Sequence, residues 1–168
     1  MVKQFKNYLD TLLKGEDLSS PEMSSLMNLI MTGELSSAQI ASCIVAMKIK
    51  GETLDEITAA ASVMRKHSNK VIVEDSKYLI DTCGTGGDSL QTFNVSTLSA
   101  IIAAAAGARV AKHGGRSVSS KCGSADVLEV LGVNVNLDHK RLGQLVDAIG
   151  IGFMFAPNYH PAMKYVAP

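Results

Sequence analysis

Two glycine-rich turns, each set between a short apolar run and a helical pattern, do most to limit how this chain can fold. Asp81-Thr82-Cys83-Gly84-Thr85-Gly86-Gly87-Asp88 follows the β-like run Tyr78-Leu79-Ile80, and Lys112-His113-Gly114-Gly115-Arg116-Ser117-Val118-Ser119-Ser120 follows Ala108-Arg109-Val110-Ala111. A strand that runs through a turn into a helix, twice over, predicts a parallel sheet with helical crossovers. The surrounding pattern agrees. Val71-Ile72-Val73 is β-like, and Asn94 to Ala106 is helical with Asn94 as a plausible cap. Ala125 to Leu131 is helical, Val133-Asn134-Val135 is extended, His139 to Ile149 is helical and Ile151 to Phe155 reads as a strand.

The chain before this point reads differently. Up to about Asn69 every periodic segment is helical. Val2, Phe5, Leu9, Leu12 and Leu13 fall on one helical face that ends at Gly15. Ser19 with Glu22, Ser36 with Gln39, and Thr53 with Glu56 each have the spacing of a helix start, and Gly33 and Gly51 mark stops. The methionines Met23, Met27, Met31 and Met47 recur at helical spacing and are expected in a core. The expected organisation is a small helical bundle over residues 1–70, then an α/β portion over residues 71–168. Only three or four strands appear, fewer than a parallel sheet covered on both faces usually has, so part of a larger, truncated α/β fold is expected.

Composition removes several classes. Sixteen basic and sixteen acidic side chains give a formal net charge of zero, which argues against a nucleic-acid binder working through bulk charge. Cys43, Cys83 and Cys122 are odd in number and show no C-x-x-C spacing, so a reducing, cytoplasmic setting is expected. No apolar segment stands behind a basic start. The longest apolar run, Leu98 to Ala108, is too short for a bilayer span and predicts a buried helix.

The chemistry is expected in the two turns, because in open α/β sheets ligands sit at the carboxyl ends of the strands. Glycine lets backbone N–H groups approach an anion closely. Lys112 and Arg116 add positive charge, and Ser117, Ser119 and Ser120 add hydroxyls. Asn94-Val95-Ser96-Thr97 opens a helix, where unpaired N–H groups favour a phosphate. Ser96 could supply a hydroxyl to an accompanying Mg²⁺, and Asp88 could orient ribose hydroxyls or a metal-bound water. Together these describe a pocket for a substrate bearing more than one phosphate group. Neither G-x-G-x-x-G nor G-x-x-x-x-G-K-[ST] is present. His67, His113, His139 and His160 lack metal-ligand spacing, and only His113 lies in a turn of interest, where it is expected to shape the loop. Cys83 and Cys122 are expected as small packing residues, and Glu74-Asp75 as a solvated turn.

These motifs resemble those of the anthranilate phosphoribosyltransferase family along the whole chain. Asp81 to Asp88 is similar to the family's diphosphate loop, and Thr92-Phe93-Asn94-Val95-Ser96-Thr97 to its second phosphate and metal segment. Lys112 to Ser124 with Ala125-Asp126-Val127-Leu128-Glu129 is similar to its K-H-G-N-R-S-V-S-S…G-S-A-D-V-L-E stretch, and Asn158-Tyr159-His160-Pro161-Ala162-Met163 is family-like. The resemblance implies a helical domain and an α/β domain of the nucleoside phosphorylase/phosphoribosyltransferase class III type. It implies a homodimer through the helical domains, with no nucleic-acid or membrane partner. The implied reaction joins phosphoribosyl pyrophosphate to anthranilate, uses Mg²⁺ and releases pyrophosphate. By the same resemblance, Gly84, Gly87, Asp88, Thr92, Asn94, Val95, Ser96, Thr97, Lys112, His113, Gly114, Gly115, Arg116, Ser117, Val118, Ser119, Ser120 and Ser124 would hold the donor. Ser96 would touch Mg²⁺, and Gly84 and Gly115 would lie against anthranilate. No residue is assigned as an acid or base.

Two departures from the family pattern stand out. Gly115 occupies the place of an asparagine that contacts anthranilate. The chain also covers about half of the family's length, so the family's anthranilate-binding arginine and its Asp-Glu pair for a second Mg²⁺ have no counterpart here. A weak or inactive chain when alone is therefore expected. The alternative is a non-catalytic phosphate-binding or assembly module of the same half-fold.

Overall fold

Hydroxyl-carboxylate and hydroxyl-amide boxes fix the starts of three of the four N-terminal helices. The computed structural model describes residues 2–84, 93–117 and 122–166, and within it α1 spans Val2–Leu13, α2 Ser20–Met31, α3 Ser37–Lys50 and α4 Leu54–Lys66. Glu22 reaches back to the Ser19 amide at 2.9 Å, Gln39 to the Ser36 amide at 2.9 Å and Glu56 to the Thr53 amide at 2.8 Å. Each bond satisfies a donor that the helix itself leaves open. Chain contacts divide the molecule into Met1–Ser68 with His160–Pro168, and Asn69–Tyr159.

The first unit closes around a large core. Phe5, Tyr8, Leu12, Leu18, Met23, Leu26, Met27, Ile30, Met31, Ile40, Cys43 and Met47 are buried in one cluster. The methionine expectation holds, whereas Leu13 is 69% exposed and Tyr8 takes the inward place on α1. A 3-10 turn over Pro161–Tyr165 packs on this unit, contributing Ala162 to its core. Its Tyr165 ring occupies the space that a Cβ on Gly33 would need.

Glu56 is buried and acts twice, as the box residue of α4 and as the anchor of the loop before α2. It accepts from the Leu18 amide at 2.9 Å, from Thr53 and from the Lys50 ammonium at 2.9 Å, and Lys50 also reaches Asp17 at 2.7 Å. Burial alone would raise this carboxyl's pKa. The Thr53 amide, the Lys50 ammonium and the Leu18 amide outweigh burial and hold it at about 2.

The second unit is a three-stranded parallel sheet in the order β1 (Leu79–Ile80), β2 (Arg109–Gly114), β3 (Ile151–Phe155). Leu79 pairs with Arg109, and Val110 through Gly114 pair with Ile151 through Phe155. The helices are α5 (Val95–Ala105), α6 (Ser124–Val130), α7 (His139–Ile149) and α8 (Ala156–Tyr159). Val71–Val73 and Val133–Val135 do not form strands. The first lies so close on α7 that a Cβ on Gly143 would collide with the Ile72 carbonyl, and the second inserts the single side chain Val135 into the core. Asp147 pins the Glu74-Asp75 turn by accepting from both amides, and Arg109 donates to the Val146 and Asp147 carbonyls that end α7. That turn is held, not merely solvated.

The Leu98–Ala108 segment is helical over most of its length but is not the buried helix expected. Within it Ala100 alone is buried, and Leu98, Ile101 and Ile102 are 46, 47 and 60% exposed. The inward face of α5 packs toward β2, and the outward face carries the larger apolar side chains. No helix among the described residues is long and apolar enough to cross a membrane.

Candidate functional site

The carboxyl ends of β1 and β2 lie side by side because the strands are parallel neighbours, and one carboxylate ties them. Asp81 Oδ1 accepts from the Cys83 amide at 2.9 Å and from the His113 amide at 3.1 Å. The Cys83 sulfur lies 3.8 Å from His113 Nδ1. A third segment joins through Ser96 at the start of α5. Thr82 Oγ1 donates to the Ser96 carbonyl at 2.8 Å, and the Lys112 ammonium donates to Ser96 Oγ at 3.1 Å. The two strand ends are therefore adjacent, with the opening of α5 tied to both.

Strand β2 runs further than the sequence suggests, to Gly114, so Lys112, His113 and Gly114 are strand residues and the second turn begins at Gly115. The extension explains Lys112. On a strand its side chain is directed inward, 2% exposed, to the Ser96 hydroxyl. Burial lowers its pKa from the ordinary lysine value, and Cys83 and Asp81 act in the opposite sense. A buried ammonium held by neutral oxygens is a preformed site for a negative ligand. Thr97 adds a second incompletely used group, since its Oγ1 is buried and has no hydrogen-bond partner among the described residues.

Arg116 has a different role from that of a free cation. It makes a two-pronged pair with Glu129 at 2.6 and 2.8 Å, contacts Asp126 at 3.2 Å and stacks over the Phe155 ring at 5.6 Å. Asp126 in turn accepts from the Ser117 amide at 3.1 Å and the Gly123 amide at 2.7 Å, and the Gly115 carbonyl accepts from Ala125. These bonds shape the second turn from behind and leave the Ser117 amide committed to the protein. Gly123 is obligatory in that packing, because a Cβ there would collide with Ser117 N. Asn94 does not cap α5; its side-chain amide donates to the Cys122 carbonyl at 3.1 Å and so draws the 122–124 segment, with Ser124 opening α6, toward the same place.

Gly84 and Gly115 face open space, with nothing among the described residues within 4 Å of a Cβ placed on either. Cys83 and Cys122 are exposed rather than packed. Gly87, Asp88, Thr92, Val118, Ser119 and Ser120 lie outside the described residues. Sequence reasoning missed Asp81 and Asp126 as organisers, although each is the acidic residue flanking a glycine turn. A separate concavity of about 360 Å³, lined by Asn69, Asn136, Leu137, Asp138, His139 and Asn158, contains none of the expected site residues. Its amides largely bond to one another, Asn69 to the Asn158 carbonyl at 2.8 Å and Asn158 to Asn136 at 3.4 Å.

A resident metal does not fit what the described residues offer. Ser96 Oγ already accepts from an ammonium, which disfavours a cation at the same oxygen, and no cluster of three His, Cys, Asp or Glu side chains exists among the described residues.

A helical bundle is followed by a parallel sheet whose strand ends gather an ammonium, hydroxyls and glycines. The chain belongs to the glycosyl transferase family. Residues 6–68 match the model of that family's helical bundle domain and residues 76–168 match the model of its a/b domain. It is similar to anthranilate phosphoribosyltransferases, at 59% identity to that of Chromobacterium violaceum over 95% of this chain and 47% of the relative, and 53% to that of Persephonella marina over 96% and 48%. The solved structure of the Thermus thermophilus enzyme superposes with a TM-score of 0.88 at 42% identity, covering 96% of this chain and 49% of that one. A Saccharomyces cerevisiae enzyme in complex with PRPP and Mg superposes with a TM-score of 0.86 at 26% identity, over 96% and 49%. The chain thus spans about half the length of the curated relatives it matches.

Proposed function

We propose that this chain is the donor-binding portion of an anthranilate phosphoribosyltransferase, seating phosphoribosyl pyrophosphate where β1, β2 and α5 converge. The observation that carries the reading is Lys112, a buried ammonium on Ser96 at the mouth of two glycine turns. In the reaction the anthranilate nitrogen forms a bond to the anomeric carbon as the bond from that carbon to pyrophosphate breaks. Lys112 and the Thr97 hydroxyl oppose the charge that builds on the departing group, whereas the Val95 and Thr97 amides that open α5 are bonded to the Phe93 and Asn94 carbonyls. Gly84, Gly87, Asp88, Thr92, Asn94 to Thr97, Lys112 to Ser120 and Ser124 form the donor seat. Arg116 acts within it by fixing the turn, and Gly84 and Gly115 face the acceptor. Mg²⁺, present with PRPP in the Saccharomyces cerevisiae structure, would accompany the donor and neutralise part of its diphosphate charge. The setting is cytoplasmic. The partner is a second copy, joined through the helical unit, where Ile44, Val45, Ile49, Leu54 and Ile57 of α3 and α4 are exposed; sedimentation at varied concentration tests this.

Calorimetric titration of the chain with phosphoribosyl pyrophosphate and Mg²⁺ tests the seat. Binding is expected, and Lys112→Gln weakens it by roughly ten- to a hundredfold, as expected for one charged hydrogen bond. Absence of binding at millimolar donor overturns the reading in favour of an assembly module. Little turnover is expected from the chain alone, so rates on the order of 1–10³ per second would contradict the half-site view.

A further inference from the structure

We propose that Cys83 and His113 form a reactive thiol couple at the mouth of the site, and that Cys83 forms mixed disulfides with small disulfide compounds. The parts are those of an activated nucleophile: a thiol, a base within hydrogen-bond reach and a third group that orients both. The sulfur is exposed and 3.8 Å from His113 Nδ1. Asp81 Oδ1 holds the backbone amides of both partners, so the loop after β1 is tied to β2 at the pair. That carboxylate is turned onto the amides. Lys112, one residue before His113 on β2, is buried. When protonated, the Cys83 sulfur donates to the Gly84 carbonyl at 3.5 Å.

The other two cysteines provide internal references. Cys43 is buried in the helical core, and desolvation pushes its thiol up to about 11. Cys122 is exposed too, and its sulfur, like that of Cys83, lies near a backbone carbonyl, 3.8 Å from that of Gly123. Exposure and a carbonyl neighbour are thus common to both thiols, and Cys83 adds the His113 imidazole.

The step balances with the disulfide as oxidant. His113 Nδ1 takes the Cys83 proton. The thiolate attacks one sulfur of the disulfide, forming a new S–S bond as the old one breaks. The second sulfur leaves as a thiolate, which then receives the proton. Cys83 is oxidised and the small disulfide is reduced. The adduct projects from the strand end beside Gly84. On the donor-binding reading given above, it excludes the donor, and bound donor excludes the reagent.

The test treats the whole chain with dithiobis(nitrobenzoate) at near-neutral pH, following released thiolate and locating the adduct by peptide mass. Cys83 is expected to react about tenfold or more faster than Cys122. Cys83→Ser removes the fast phase, and His113→Asn slows it to the Cys122 rate while Cys122 itself reacts unchanged, which also reports that the variant is folded. Equal rates at Cys83 and Cys122 in the native chain, or a fast phase indifferent to His113→Asn, overturn the proposal. Protection by phosphoribosyl pyrophosphate is read separately. A fast Cys83 that the donor does not protect leaves the thiol couple standing and removes the donor seat.

Discussion

The helical unit and the sheet unit bury apolar surface in opposite ways. Among the described residues the first gathers seventeen buried side chains into one cluster, while the second buries Ala125, Leu128, Val135 and Phe153 in a small cluster, with Val110 of β2 and Leu142 and Val146 of α7 buried as well. The sheet unit leaves Leu79, Ile80, Leu98, Ile101 and Ile102 exposed, and neither β1 nor β3 has a second strand neighbour among the described residues. Stability from burial and chemistry from strand ends are thus separated along the chain. The helices hold together through apolar packing and caps, and the sheet holds its site mainly through polar ties: Asp81, Ser96, Asp126 and Arg116.

The largest expected effect falls in the helical unit. Glu56→Ala leaves Lys50 and the Leu18 amide without their buried partner and should cost about 3–5 kcal/mol in urea unfolding followed by circular dichroism. The same carboxyl gives a pH signature. Its folded pKa, held at about 2, lies below the unfolded value, so its contribution is complete above roughly pH 4.5 and is lost as pH falls toward 2. Glu56→Gln should flatten that acid limb, and an unchanged limb would show that another carboxylate carries it.

Gly123→Ala is the matching change in the sheet unit. Its Cβ collides with Ser117 N, so the second turn must shift at a cost of about 1–3 kcal/mol. Donor binding should fall while helical signal and the Glu56 acid limb persist. Joint loss of all three would mean that the two units do not behave separately. Gly115→Asn is milder, because the site is open. It should leave unfolding within about 0.5 kcal/mol and raise affinity for anthranilate in the presence of donor; unchanged affinity would place the acceptor elsewhere. The smallest effect is expected for Ile101→Gln on the outward face of α5, within about 0.5 kcal/mol, together with weaker binding of an apolar dye. A loss of about 2 kcal/mol or more would show that this face is covered in solution.

Much of this was legible in the sequence because caps, glycine stops and period-two runs are local signals. The three helix-opening boxes, the bounds of α7 and β3 and the parallel sheet follow from neighbours a few residues apart. What escaped depends on distant partners. Val71–Val73 has strand composition but lies against α7 without pairing, and Arg116 is a cation whose charge is spent on Glu129 and Asp126. Asn94 has a cap's identity and position, yet the Cys122 carbonyl takes its amide. Tyr165, near the chain's end, packs where Gly33 has no side chain, a match invisible to any window of sequence.

The Asp81 tie has a geometric consequence. Two backbone amides, one from the loop after β1 and one from β2, converge on a single oxygen, so the gap between that loop and β2 is metered by one atom rather than by the curvature of the sheet. Lengthening that side chain by one methylene, as glutamate does, would move the oxygen off the shared point. The ruler would be lost while the charge remained.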